Sequence, residues 1–262
     1  FDSTGIRINN ATALFIDSKK KLWVGTNDGK VFSFYNSKID SIIFPNDGNS
    51  KRITSFYESL GNLCFSTYGN GIFVLRDKTL KHYNNNMGLN DDVVYKITGD
   101  YKNTIWCGTD AGICEIKNFD SRPELNVISD HKGLPDNIVR DVRYEEDRIL
   151  VSMQDSGVCF YNYQKQKIEK PDFTKNWKYG AIISSQTFEK NKITISLENL
   201  FNLIYHINEN VFVNIFNKIK KIETDIDYKF FKYIIYNNIS YDKIIFMMNK
   251  DRKSTRLNSS HR

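Results

Sequence analysis

Short runs of hydrophobic and β-branched residues alternate with polar turns along most of the chain. In its middle, Val93 to Ile97, Ile105 to Thr109 and Ile113 to Ile116 follow one another. The polar segment Asp100 to Thr104 separates the first two runs, and Asp-Ala-Gly separates the last two. Such runs, bounded by turn-forming residues, are typical of β-hairpins. The pattern predicts an antiparallel meander, with a fourth short strand near Val127–Ile128.

This meander recurs with a period of a little over forty residues. Its clearest mark is a segment such as LWVGTNDG at Leu22–Gly29 or IWCGTDAG at Ile105–Gly112. With the second residue of each copy as its anchor, successive intervals are 41, 42, 44, 44 and 51 residues. The anchors are Trp23, Cys64, Trp106, Leu150, Thr194 and Ile245. A Gly-Leu or Gly-Ile pair precedes three anchors by 17 or 18 residues, at Gly5, Gly88 and Gly133.

Four antiparallel strands in each repeat of this length are the signature of a β-propeller blade. The predicted fold class is therefore all-β, a β-propeller fragment of about five and a half four-stranded blades. Since propellers close into rings of ~4 to 8 blades, we expect a native ring of seven. A small residue two places after each anchor would let neighbouring blades approach closely. These residues are Gly25, Ser66, Gly108, Ser152 and Ser196.

The repeat sets the predicted domain organisation, an incomplete propeller over residues 1–250. The predicted blades span 1–46, 47–87, 88–132, 133–176, 177–225 and, in part, 226–250. One alternative stays open between the fifth and sixth copies. There, Ile215, Ile219, Ile222, Ile226 and Phe230 recur at the spacing of a short helix.

Residues 251–262 are treated as an artefactual tail. The first eleven residues of DRKSTRLNSSHR resemble the translation of a common sequencing-library adapter, so we leave the segment out of the fold and expect the natural chain to continue past Lys250. The formal net charge is +6, and +3 without the tail. So small a surplus gives no reason to expect a nucleic-acid partner. The apolar stretch Phe230 to Met248 is broken by Lys232, Asp242 and Lys243, so no membrane span is predicted.

Few side chains stand out as candidates for chemistry, and none is predicted to be catalytic or to bind a cofactor or metal. The histidines lack zinc-type spacing and are expected on the surface or in strand turns. They are His82, His131 and His206. The cysteines fall on predicted strands and are expected to be small buried hydrophobic residues. They are Cys64, Cys107, Cys114 and Cys159. Whether Cys107 and Cys114 lie opposite each other, and so are able to pair, stays open.

Other candidates carry a structural and a functional interpretation. Acidic residues that recur at turns favour backbone capping over acid–base catalysis. They are Asp17, Asp100 and Asp110. Aromatic residues near predicted loops suit either the core or stacking on sugar rings. They are Tyr83, Tyr101 and Trp177. The run Lys19–Lys21 is expected at a solvated strand turn. Since repeated residues serve the fold, function is expected where the blades differ.

The strings LWVGTNDG and IWCGTDAGI, together with GLNDDVVYKI, resemble two-component regulator propeller repeats. The resemblance is good over residues 1–162 and looser over 163–250. It implies that this chain is the extracytoplasmic sensor of a bacterial hybrid histidine kinase. The sensor would lie in the periplasm, as part of an inner-membrane protein. The resemblance also implies an oligosaccharide ligand, downstream kinase domains in the same chain and a homodimer. No histidine-kinase box is present in these residues, so this fragment is not expected to be an enzyme.

Two alternatives from other classes remain at this point. A propeller-fold lyase or glycoside-processing enzyme would bring two carboxylates, or a histidine and a metal, to the central channel. A scaffold for protein contacts would need no ligand. Fold does not separate these possibilities, because propellers host all of them. The ligand and the residues that contact it are not identified by the sequence.

Overall fold

The computed structural model describes residues 10–36, 38–42, 51–171, 177, 181–189, 192–197, 202–206 and 211–214. Within these ranges the chain forms twenty β-strands, arranged as five four-stranded antiparallel sheets. In every sheet the strands are hydrogen-bonded in chain order, so each sheet is a meander with its first and fourth strands at the edges.

The strands have the following bounds. The first sheet contains β1 (Ala11–Ile16), β2 (Leu22–Thr26), β3 (Val31–Tyr35) and β4 (Lys38–Ile42). The second contains β5 (Ile53–Ser59), β6 (Asn62–Thr67), β7 (Ile72–Arg76) and β8 (Thr79–Tyr83). The third contains β9 (Val94–Gly99), β10 (Thr104–Thr109), β11 (Gly112–Lys117) and β12 (Glu124–Ile128). The fourth contains β13 (Val139–Glu145), β14 (Arg148–Met153), β15 (Val158–Asn162) and β16 (Lys167–Glu169). The fifth contains β17 (Ile182–Glu189), β18 (Lys192–Leu197), β19 (Asn202–His206) and β20 (Val211–Asn214).

The sheets follow one another as the blades of a propeller. The first strand of each sheet, here called its inner strand, contacts the inner strand of the next sheet. Three hydrophobic cores lie between successive sheets rather than within one sheet. Strand β6 is therefore buried along its whole length, because each of its faces meets a neighbouring blade. Burying both faces of a central strand explains why these strands read as nearly continuous apolar runs.

Small residues two places after the anchors bring the blades together, as the sequence predicts. A Cβ atom added to Gly25 would lie 2.4 Å from Cγ2 of Ile53 in the next blade. A Cβ atom added to Gly108 would lie 2.6 Å from the backbone oxygen of Val139, again in the next blade. At the same position in the fourth blade, the Ser152 hydroxyl is hydrogen-bonded across the blade boundary.

The repeated Gly-Leu pairs end short helices at the blade connections. Single-turn 3-10 helices span Asn85–Met87 and Asp130–Lys132. Each is closed by a glycine with left-handed backbone, Gly88 with φ 95° and Gly133 with φ 92°. Only glycine adopts this conformation without a steric cost, so the repeated glycine is explained by the turn.

The structure confirms the all-β propeller class and the strands predicted from the repeat. The fifth copy of the repeat, around Thr194, forms strand β18. The partial sixth blade, the possible helix from Ile215 to Phe230 and the terminal tail lie outside the described residues. The blade boundaries and the ring of seven stay predictions. No helix in the described part of the chain is long and apolar enough to cross a membrane.

Candidate functional site

A cavity of about 310 Å³ lies where the inner strands of four successive blades converge. Its walls come from the first residues of β5, β9, β13 and β17 and from the loops beside them. Tyr68, in the loop after β6, and Arg52, just before β5, place the cavity at the end of the sheets that carries the blade-to-blade connections. Further lining residues include Thr54, Tyr95, Lys96, Arg140 and Asp141.

A β-bulge lies near the start of the inner strand in each of the five described sheets, and four of the five bulge residues line this cavity. At this point of each sheet, one inner-strand residue is skipped in the pairing with the second strand. A bulge leaves the extra residue unpaired and re-aims its side chain. The five bulge residues are Thr12, Thr54, Tyr95, Arg140 and Ile183. The backbone device thus repeats in each blade, whereas the side chain that it presents changes.

The bulge side chains divide into two roles. Thr12 and Thr54 donate hydrogen bonds of 2.7 and 2.6 Å to the backbone oxygen that begins the next inner strand. Tyr95 instead donates its hydroxyl to the Asp110 carboxylate at 2.7 Å. The Arg140 guanidinium lies over the Tyr95 ring, 4.6 Å from its centre. The first two bulges join blades, and the next two carry groups suited to a ligand.

The residue after each bulge shows a similar change of role. The Ser55 hydroxyl accepts the Ile97 backbone N–H of the following blade at 3.3 Å. The Asp141 carboxylate accepts the equivalent N–H, that of Ser185, at 3.1 Å. In the third blade, which lies between these two, Lys96 has the same position directly after the bulge residue. An ammonium group has no lone pair, so Lys96 cannot make this bond between blades.

Burial perturbs the charged groups of the cavity. Burial lowers the pKa of Lys96, and the nearby Asp141 carboxylate opposes this shift. Burial raises the pKa of Asp141, and Arg143 opposes that shift. The Arg143 Nε atom is 3.1 Å from the Asp141 carboxylate, so these two side chains form an ion pair. Lys96 is a cation held in a low-dielectric site, an arrangement common at functional positions.

The three acidic residues that recur at turns have two different roles in the structure. Asp17 accepts the backbone N–H groups of Lys19 and Lys21, and Asp100 makes the same pair of bonds in its own turn. The capping prediction is confirmed for both. For Asp110 it is wrong, because its carboxylate accepts the Tyr95 hydroxyl. The Thr109 hydroxyl bonds that hairpin instead, and a threonine side chain is short enough to reach its own turn.

The histidines and cysteines are not drawn together into a site. His82 stacks on Phe73 with ring centres 4.2 Å apart, and His131 is exposed beside Asp130. His206 lies on β19. The four cysteine thiols are free and buried, and strand register sets Cys107 directly opposite Cys114. In the described part of the chain, no group of three or more His, Cys, Asp or Glu residues has the arrangement to hold a metal ion.

The aromatic candidates have different surroundings. Tyr83 is buried and donates its hydroxyl to the Phe119 backbone oxygen, so it is a core residue and unavailable for stacking on a sugar. Trp177 is half-buried. Tyr101 is 70% exposed and lies against Tyr57 and Tyr144, at the end of the sheets opposite the cavity. The run Lys19–Lys21 lies in the β1–β2 turn, as predicted.

Sequence reasoning missed the basic residues of the cavity. Arg52, Lys96 and Arg140 follow one another at intervals of 44 residues, close to the period of the repeat. Each is a single cation within an ordinary polar context, so none forms a motif. Their equal spacing is not a repeat signal, because Arg52 lies two residues before its bulge, Lys96 one residue after its bulge and Arg140 at its bulge.

Comparison with known proteins follows this geometry. Residues 5–28 match the family model described as two component regulator propeller. The chain contains a two-component regulator propeller repeat. The matched residues include the first anchor, Trp23, and the same sequence pattern recurs in the blades that follow. No curated protein sequence matches the chain.

Solved structures with the same fold include the extracellular domains of a putative one-component and a putative hybrid two-component system, and a lyase. The extracellular domain of a putative one-component system from B. thetaiotaomicron is 18% identical, with a TM-score of 0.66 over 81% of this chain and 32% of that one. The extracellular domain of a putative hybrid two-component system from the same organism is 16% identical, with a TM-score of 0.62 over 81% of this chain and 30% of that one. Virginiamycin B lyase from Staphylococcus aureus is 14% identical, with a TM-score of 0.59 over 79% and 69%. The chain thus spans about a third of the first two structures, and all three likenesses establish the propeller fold.

Proposed function

We propose that this chain is part of an extracytoplasmic ligand-sensing module of a two-component signal transduction protein, and that its ligand is an oligosaccharide. The observation that carries this proposal is the central cavity, whose walls are made by the residues that differ between otherwise repeated blades. The repeat at residues 5–28 and the likeness to extracellular domains of two-component systems support the sensing role.

The rest of the proposed assembly comes from the same family resemblance. The propeller would sit in the periplasm as part of an inner-membrane protein and act as a homodimer. Ligand binding would bias the arrangement of domains further along the chain, including a histidine kinase core. A sensor needs differential affinity for two states of the protein and no catalytic group.

A binding screen of the purified protein against a panel of oligosaccharides tests this proposal. A ligand that binds only the native state stabilises it by ~2.7 kcal/mol at a hundredfold excess over Kd, which raises the melting temperature. We expect at least one oligosaccharide to give a saturable shift, and deletion of the gene to abolish the transcriptional response to that sugar. A panel without any shift, or a response that survives deletion, would contradict the proposal.

A second candidate is an enzyme, favoured by the likeness to a lyase and by the environment of Lys96. Burial lowers the pKa of Lys96, and a lysine perturbed in this direction is a candidate general base. Arg140 nearby would neutralise an acidic substrate group. Mass spectrometry of each bound oligosaccharide after prolonged incubation separates the two functions. The sensor returns its ligand intact, whereas a lyase returns two shorter products, one with a new double bond.

A further inference from the structure

The charges that line the cavity do not balance. Four of its side chains are cationic and one is anionic. The single carboxylate, Asp141, is buried and already paired with Arg143. Among the described residues, the remaining three cations have no salt-bridge partner. They are Arg52, Lys96 and Arg140.

Lys96 is the most desolvated of these three cations, although its side chain is only half-buried. Removing an ammonium group from water, even in part, is unfavourable, and the nearby Asp141 carboxylate offsets only part of that cost. The positions equivalent to Lys96 in the blades before and after it hold Ser55 and Asp141, which accept a backbone N–H of the next blade. The chain therefore gives up a bond between blades to place a cation on the cavity wall. Ala13, at the same position in the first blade, also lacks an acceptor, so the feature that sets Lys96 apart is the charge that it brings to the cavity wall.

Arg140 is held ready for a ligand on the same wall. Its guanidinium stacks on Tyr95, whose hydroxyl is fixed by Asp110. Stacking uses the face of the guanidinium and leaves its N–H edges for other partners. Those edges match the paired oxygens of a carboxylate, sulfate or phosphate, and hydrogen bonds to such groups are the strong ones.

We propose that the central cavity binds an anionic oxygen group of the ligand, a carboxylate, sulfate or phosphate, through Lys96 and Arg140, with Arg52 also on its lining. The inference rests on the proposed function in one respect, namely that the sensed ligand carries this group. A volume of about 310 Å³ is at the lower end of the range for small-molecule pockets, so it suits one acidic monosaccharide unit better than a long chain.

Isothermal titration calorimetry of the purified protein tests the site with simple probes. Glucuronate, inorganic sulfate and inorganic phosphate are titrated at constant ionic strength, set with chloride, and glucose serves as the neutral match for glucuronate. We expect saturable binding of at least one anion and about tenfold or weaker affinity for glucose, because a charge-assisted hydrogen bond is worth that factor. Comparison of the three anions shows which oxygen group the cavity prefers.

Substitutions locate the binding. Lys96→Met and Arg140→Met should each weaken anion affinity about tenfold or more. Lys167→Met is the matched control, since this exposed lysine lies on β16, the outermost strand of the fourth blade. It should change affinity less than twofold. Lys96→Met should melt at or above the wild-type temperature, because a partly desolvated charge has been removed. If this variant fails to fold, Arg140→Met alone decides.

Several results would overturn the inference. They are no anion binding at constant ionic strength, binding unchanged by both cavity substitutions, or equal loss in the Lys167 control. Neutral oligosaccharides that bind the wild type and Lys96→Met equally, together with no anion binding, would refute the anion site and leave the sensing proposal intact. Anion binding with no response to any oligosaccharide would refute the sensing proposal and leave the anion site intact.

Discussion

Burial governs the chemistry of the four cysteine side chains. Cys64 and Cys159 lie on central strands and are completely enclosed. Burial raises the pKa of the Cys64, Cys114 and Cys159 thiols to about 12, and that of Cys107 well above its ordinary value. At pH 8 a thiol with such a pKa is ionised in about one molecule in ten thousand, and only the thiolate is reactive.

We therefore expect the thiols to be inert in the native protein. Treatment with a thiol reagent such as DTNB at pH 8 should label none of the four cysteines on the timescale of minutes, and denaturant should release all four. Cys107 and Cys114, although directly opposite each other, should remain reduced under mild oxidation. A thiol that is labelled rapidly before unfolding would show that the strand carrying it is not buried as described.

A second prediction for a single residue concerns the contribution of the Thr109 hydroxyl to stability. This hydroxyl donates to the Gly112 backbone oxygen at 2.8 Å and accepts from the Ala111 N–H and from Asn90. Thr109→Val keeps the shape and leaves these groups unpaired, so the free energy of unfolding should fall by ~1 to 3 kcal/mol in chemical denaturation. Asp147→Ala, at an exposed turn of the next blade, is the control and should change it by less than ~0.5 kcal/mol. Equal effects of the two changes would refute the role of Thr109.

Single residues also show the reach of sequence reasoning. The caps made by Asp17 and Asp100 are predictable, because an aspartate at a turn bonds the N–H groups that follow it. The role of Asp110 is not, because its partner Tyr95 lies fifteen residues away on another strand. Local bonds leave a local pattern in the sequence, and bonds between strands leave none.

At the scale of the blade, Gly108 lies in a close backbone contact between two blades. A Cβ atom here would press on the backbone of the next inner strand, which cannot turn aside as a side chain can. Gly108→Ala should lower the free energy of unfolding by ~1 to 3 kcal/mol, the usual cost of overpacking. Ser152→Ala is the matched control, because it has the equivalent position in the next blade and keeps its Cβ atom. It should cost only the lost hydrogen bond, ~1 kcal/mol. A stable Gly108→Ala protein would mean that the blades are farther apart.

The strands of each blade were predictable, and the bulges were not. Alternating runs and turn residues mark where a strand begins and ends. A bulge changes only which residue pairs with which, and no one side-chain type is common to all five bulges. Since the bulge decides which side chains enter the cavity, the site stayed hidden even where the strands were placed correctly.

At the scale of the whole molecule, the amino-acid composition gives no indication of the positive charge of the cavity. A net charge of +6 spread over 262 residues gives no sign of an anionic ligand. The propeller gathers Arg52, Lys96 and Arg140, far apart in the chain, into one cavity with a single paired carboxylate. The partners of a repeat protein therefore depend on which residues its geometry assembles and much less on its total charge.

Residues that recur from blade to blade stabilise the fold of this molecule, and residues that differ between blades bind the ligand. Measuring the free energy of unfolding and the affinity for glucuronate in parallel, on two sets of variants, tests this division most directly. Thr109→Val and Gly108→Ala should lose stability and keep wild-type affinity at a temperature where they remain folded. Lys96→Met and Arg140→Met should lose affinity about tenfold or more and keep stability. Affinity that falls in the first set and persists in the second would contradict the division.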